Sequence, residues 1–262
     1  MVDRVRAHWP EYLAEAAGLG LFMIAAGAFA SIIHHPASPV RLAVADPVAR
    51  RGLMGLAMGL TAVALIYSPL GGRSGAHINP ATTLTFLRLG RVHPADAAAY
   101  IAAQFAGGLA GIAVAAALLS PWIAGVNYVA TVPGMWGQVA AFGGELVITY
   151  VLMTVVLRVS NHRRLSRYTG LAVGCMVAVY ITVEDPVSGM SMNPARSFGP
   201  ALLAGTAGTL WIYFLAPPLG MLLAAETYVR TRGLSRVFCA KLHHHSAHRC
   251  IFRCRFHEIG GS

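Results

Sequence analysis

The chain has 262 residues, 56% of them apolar and only 11% charged, with a mean hydropathy of +0.60. Such a composition excludes a soluble globular domain and a disordered polymer, and puts the chain in a bilayer. The net charge of +10 would suit nucleic acid, but the basic residues cluster in short connections between apolar windows, so no nucleic-acid partner is expected.

Windows long enough to cross about 30 Å of hydrocarbon occur near residues 12–33, 52–70, 95–119, 136–157, 168–183 and 210–229. The first starts too near the N-terminus and runs too long for a cleavable signal core, so it is expected to persist as a helix. Six spans put both termini on one side. With that side cytoplasmic, sixteen of the 20 Lys and Arg lie inside and only Arg41, Arg50, Arg51 and Arg196 outside, as the positive-inside rule requires. The chain is read as residues 1–229, a multi-pass domain of the cell's inner membrane, followed by residues 230–262, a cytoplasmic basic tail.

Between the second and third windows stands "SGAHINPATT", residues 74–83, and 114 residues further on "SGMSMNPARSFGPALL" repeats it. The chain has only four Asn, and two of them open the Asn-Pro-Ala tripeptides Asn79-Pro80-Ala81 and Asn193-Pro194-Ala195. Each copy follows the second span of a three-span half, about residues 10–120 and 136–229. Three crossings per half invert the second copy, so the tripeptides enter from opposite faces. After each, only nine or ten helix-compatible residues precede a glycine, about 15 Å of helix and half the hydrocarbon thickness. Asn is a favoured N-cap and Pro suits the first helical position, so each tripeptide opens a re-entrant half-helix inside the membrane. The predicted fold is an all-α membrane protein with six transmembrane helices and two re-entrant half-helices in an inverted 3+3 repeat.

Two helix N-termini meeting near the midplane make a field hostile to cations. The irregular backbone before each tripeptide (Gly75, Ala76, His77 and Ile78; Gly189, Met190, Ser191 and Met192) is tolerated at that depth where it lines a cavity or is packed by protein. Its carbonyls would form a polar ladder along an apolar pore. His77 is read as a loop brace rather than a titrating gate, Gln104 as an interhelical hydrogen-bond partner, and Gly107, Gly108, Gly111, Gly170 and Gly174 as close-packing positions.

The two Asn-Pro-Ala motifs, Arg196 directly after the second, "SGAH" before the first, and Glu15 and Glu145 in the span that opens each half resemble the major intrinsic protein family, the aquaporins and aquaglyceroporins, over about residues 10–230. The resemblance implies an aquaporin-like fold and a homotetramer with one pore per subunit. It implies that Arg196 stands at the outer constriction, and that Glu15 and Glu145 accept amide hydrogens from the re-entrant loops. The constriction would be completed by Met58, Ile181 and Met190; on the second span the match leaves Met58 and Gly59 as alternatives. Ser197, Ala201 and Tyr213-Phe214 look water-type, whereas Ile181 stands where water channels carry His.

The tail, "KLHHHSAHRCIFRCRFHEIGGS", concentrates His243, His244, His245, His248, Cys250, Cys254 and His257. Its Cys-x3-Cys spacing is compatible with a tetrahedral metal site but looser than known zinc modules, and the surrounding Arg residues suit a disordered basic segment against anionic lipid. No metal, no cofactor and no disulfide are assigned. No span offers a nucleophile beside a base, so no enzyme is expected. The sequence reads as a passive channel for water that excludes ions and protons, with small uncharged solutes left open. A glycerol-type facilitator is the alternative, and an ion-coupled transporter with broken helices the rival of another class.

Overall fold

Each apolar window becomes a helix in the computed structural model of the chain, which describes residues 2–260. The first half contains α1 (Val2–His34), α2 (Pro39–Ala43), α3 (Pro47–Tyr67), α4 (Pro69–Ser74), α5 (Pro80–Arg88) and α6 (Pro94–Leu119). The second contains α7 (Gly137–Ser160), α8 (Thr169–Val183), α9 (Asp185–Ser188), α10 (Pro194–Ala204) and α11 (Leu210–Arg232). No strand occurs among the described residues. Six of these helices are long and apolar enough to cross a membrane. Proline opens α2 to α6 and α10, where its missing N–H has no partner to lose and its fixed φ is already helical. Asp46 caps α3, its carboxylate accepting the amide hydrogens of Val48 and Ala49.

The packing repeats with the sequence. α1 packs on α6 in the first half as α7 packs on α11 in the second, while α3 and α8, the middle spans, pack on each other across the halves. Small residues permit these approaches. A Cβ on Gly59 would lie 2.5 Å from the Gly174 carbonyl oxygen, and one on Gly174 would lie 2.6 Å from that of Gly59. Gly107 faces the backbone of Ala16 in the same way. The half-helices α5 and α10 lie between the spans, each against α6 and α11, and touch each other.

The tail departs from its expectation. Instead of a disordered segment against lipid, residues 237–256 fold back over the face that carries both termini. Val237, Cys239, Ala240, Lys241, Leu242 and Phe252 are buried there, because apolar residues interleave with the basic ones and find the bundle's end. The Phe252 ring stacks on His77 at 5.2 Å and meets Tyr100 edge-on. Arg249 holds Glu11 of α1 through two 2.8 Å hydrogen bonds. Burial pulls the Lys241 ammonium below the ordinary lysine range, and its hydrogens go to Ser246 Oγ and the carbonyls of His248 and Arg249.

Candidate functional site: the passage between the half-helices

The re-entrant segments are built alike, residue by residue, at the 114-residue offset. α4 and α9 each end in a left-handed glycine, Gly75 (φ +91°) and Gly189 (φ +77°), where a Cβ would be strained. Left-handed conformations recur at Ala76 and Ile78 and at their counterparts Met190 and Met192. For non-glycine residues, and above all a β-branched one, that conformation persists only where the surroundings impose it. The buried carboxylates impose it. Glu15 accepts the amide hydrogens of His77 (3.0 Å) and Ile78 (2.6 Å), and the side-chain amide of Gln104 (2.7 Å). Glu145 accepts those of Ser191 (2.6 Å) and Met192 (2.7 Å), and the Ser188 hydroxyl. Further supports, which the sequence did not reveal, match as well. Tyr100 donates to the Ser74 carbonyl and Tyr213 to that of Ser188, so Tyr213 braces the loop from outside the passage.

At the centre the halves are tied to each other. Asn79 Nδ2 donates to the Met192 carbonyl and Asn193 Nδ2 to the Ile78 carbonyl, both at 2.7 Å. Their Oδ1 atoms cap the half-helices: Asn79 accepts from Ala81, Asn193 from Ala195 and Arg196. Pro80 and Pro194 are therefore first-turn residues, and Ala81 and Ala195 are fully buried under the caps.

A row of three cavities runs past this junction, and Arg196 borders all three. The outer one opens toward the connection between α6 and α7. The middle one is lined by Met58, Ile181, Met190 and Arg196 together with Phe22 and Met54. Met58, not Gly59, faces it; Gly59 is turned to α8. Phe22 and Met54 escaped the sequence reading because a lining residue and a lipid-facing residue of an apolar helix look the same until the helix is rotated into place. The guanidinium of Arg196 is held by the Val129 carbonyl at 2.8 Å; with Asp185 and Ser191 it supplies the polar side chains of a ring that is otherwise apolar. The inner cavity, about 120 Å³, is bordered by Ala76, His77, Ile78, Asn79, Ser191 and Asn193 and by apolar side chains of the spans. That is well below the 300 Å³ or so of a typical ligand pocket, the size of a thread of small molecules.

Three carbonyls of the expected ladder are engaged within the protein: those of Ile78 and Met192 take the Asn amides, and a third is taken by the tail. The Gly75 carbonyl accepts the Leu242 amide hydrogen at 3.0 Å, and the Leu242 side chain borders the inner cavity. His77 is a brace, with Nδ1 against Thr83 Oγ1 at 3.0 Å and Nε2 donating to the Ala240 carbonyl at 2.8 Å. Both partners from the tail lay outside any pattern readable in the sequence.

Two half-helices joined nose to nose inside an inverted six-span bundle, with cavities running past the joint, define a polytopic membrane protein built around an internal passage. The Major intrinsic protein family model matches residues 2–228, and the chain belongs to that family. It is 36% identical over 223 residues to the glycerol uptake facilitator protein-like 6 of Lactiplantibacillus plantarum, covering 82% of this chain and 94% of that one. It is 39% identical over 171 residues to aquaporin NIP1-3 of Oryza sativa, covering 65% and 58% respectively, so it spans under two thirds of that plant relative. The X-ray structure of the aquaglyceroporin from Plasmodium falciparum shares the fold, with a TM-score of 0.68 at 20% identity over 86% of this chain and 96% of that one.

Proposed function

We propose that the protein is a passive channel for water and small uncharged solutes, closed to ions and protons. The observation that carries this reading is the junction of Asn79 and Asn193. Two helix N-termini and two side-chain amides border one narrow passage whose walls there are mostly apolar side chains of the spans. A neutral molecule exchanges solvent hydrogen bonds for those few donors and acceptors. A cation meets two positive dipole ends and the Arg196 guanidinium, opposed by the single Asp185 carboxylate bordering the middle and outer cavities, and loses hydration that the Asn junction does not replace. In this reading Arg196, Met58, Ile181 and Met190 form the selectivity constriction, and Glu15 and Glu145 hold the re-entrant loops. A methionine-rich ring with few polar side chains suits small polyols as well as water, in keeping with relatives named both aquaporin and glycerol uptake facilitator protein-like.

The distribution of Arg supports termini that face the cytoplasm of the inner membrane, with residues 1–229 as the channel unit. The exposed apolar faces, among them Leu13, Leu21, Leu53, Leu56 and Leu60, suit lipid and neighbouring copies in a homotetramer. Stopped-flow light scattering of proteoliposomes tests the function. Fast shrinkage in sucrose, with faster reswelling in glycerol than in empty vesicles, is the expected result. Shrinkage no faster than in empty vesicles defeats the channel, and saturable flux that follows an ion gradient selects a transporter instead.

A further inference from the structure

Three of the chain's four cysteines and one of its histidines converge in the tail. Cys239, His244, Cys250 and Cys254 place one ligand atom each within 4.8 Å of all the others. Cys239 Sγ and Cys250 Sγ are 3.5 Å apart, and His244 Nε2 lies 3.0 Å from Cys254 Sγ. A tetrahedron with metal–sulfur bonds of 2.3 Å has edges of about 3.8 Å, so these spacings bracket a coordination sphere. We propose that these four residues bind Zn2+, and that the bound metal locks the tail into the inner mouth of the passage. The locking half rests on the channel reading above; the metal site does not.

The donor set selects the metal class. Three thiols with one imidazole make a closed, soft tetrahedral site of the structural zinc type. The surroundings fix the ligands as a site requires: the Phe256 amide points at Cys254 Sγ (3.4 Å), and the His244 ring stacks on Phe256 at 4.2 Å, nearly parallel. The Cys-x3-Cys spacing alone suggested nothing this definite, because Cys239 and His244 join the set only through the fold.

The ligands alternate with the residues that grip the pore loop. Ala240, next to Cys239, takes the His77 Nε2 hydrogen, and Leu242 donates to the Gly75 carbonyl. Phe252, between Cys250 and Cys254, stacks on His77 and lies where a Cβ on Gly75 would be, 2.6 Å away. His77 is also where the repeat symmetry breaks, its counterpart being Ser191. The tail thus occupies the Gly75 carbonyl and the His77 ring at the inner end of the passage, where Leu242 itself borders the cavity. A metal joining residues 239, 244, 250 and 254 cross-links the two tail segments that occupy them.

The test uses the full chain without a polyhistidine tag. Metal content is measured by mass spectrometry in wild type, in a Cys250→Ser/Cys254→Ser variant and in a His257→Ala control, with Co2+ substitution read by absorption. Water permeability is measured in proteoliposomes before and after treatment with a membrane-permeant zinc chelator, and in a chain ending at Arg232. About one zinc per wild-type chain, lost in the double variant and kept in the control, with tetrahedral cobalt–thiolate bands, is expected. Permeability should rise severalfold on chelation, fall again when Zn2+ is restored, and stay high and zinc-insensitive in the truncated chain. Equal zinc in wild type and double variant, or an octahedral cobalt spectrum, overturns the site. Unchanged permeability on chelation in a chain that conducts when truncated overturns the locking. A truncated chain that conducts nothing defeats the channel reading, while the metal content still decides the site.

Discussion

Glu15 and Glu145 show how single side chains hold an improbable backbone. Each places both oxygens against consecutive buried amides whose chain conformation is otherwise costly. In Glu145→Gln an NH2 group would face one of the Ser191 and Met192 N–H groups, leaving a buried donor unsatisfied at about 1–3 kcal/mol. The expected outcome is a lower melting temperature in detergent, read by tryptophan fluorescence, and a slower water flux in vesicles. Arg196 belongs to the same scale. With its guanidinium replaced by an apolar group in Arg196→Val, the middle ring loses its strong donor and its positive charge, and proton leak measured with an entrapped pH dye is expected to rise above wild type. Ile181→His would add a polar, bulkier group to the ring bordered by Met58 and Met190. The glycerol-to-water permeability ratio is expected to fall about tenfold, the scale of one side chain at a selective site.

The elements owe their lengths and starts to local chemistry. α5 and α10 begin where Asn caps and Pro opens, and both were legible from the tripeptides alone because capping is a contact between residues two or three apart. Which face of α3 looks inward was not legible: Met58 and Gly59 both fit the pattern, and only the approach of α8 separated them. Gly59 and Gly174 let the two middle spans touch backbone to backbone. In Gly174→Val the first added carbon alone would lie 2.6 Å from the Gly59 oxygen, and such overpacking costs about 1–3 kcal/mol. A lower melting temperature and a broadened size-exclusion peak in detergent are expected, whereas Gly143→Ala, with open space at its Cβ, should leave both unchanged.

The whole molecule divides into an inverted pair that obeys a repeat and a tail that interrupts it. Ser74, Gly75 and Asn79 have structural counterparts in Ser188, Gly189 and Asn193, and His77 differs from Ser191 at the point where Ala240 and Phe252 dock. Orientation belongs to this scale too. Ala37 is exposed in the connection between α1 and α2, on the face opposite the termini. A membrane-impermeant maleimide added to intact cells should label Ala37→Cys but not wild type, whose tail cysteines lie on the other side; labelling of wild type as well would invert the topology.

The sequence by itself determined the membrane class, the six spans, the inverted repeat and the capped half-helices, since apolar length, odd crossing number and Asn-Pro capping are all local or periodic properties; the loop-holding role of Glu15 and Glu145 came only from the family resemblance. Only the tertiary structure decided which side of α3 faces the passage, that Phe22 and Met54 border it, and that the tail is folded with Leu242 against the Gly75 carbonyl and four soft ligands in one cluster. Those outcomes depend on contacts between residues such as Glu11 and Arg249, 238 positions apart. Contacts at that separation leave no period in the chain; they arise when helices rotate and dock to bury particular side chains.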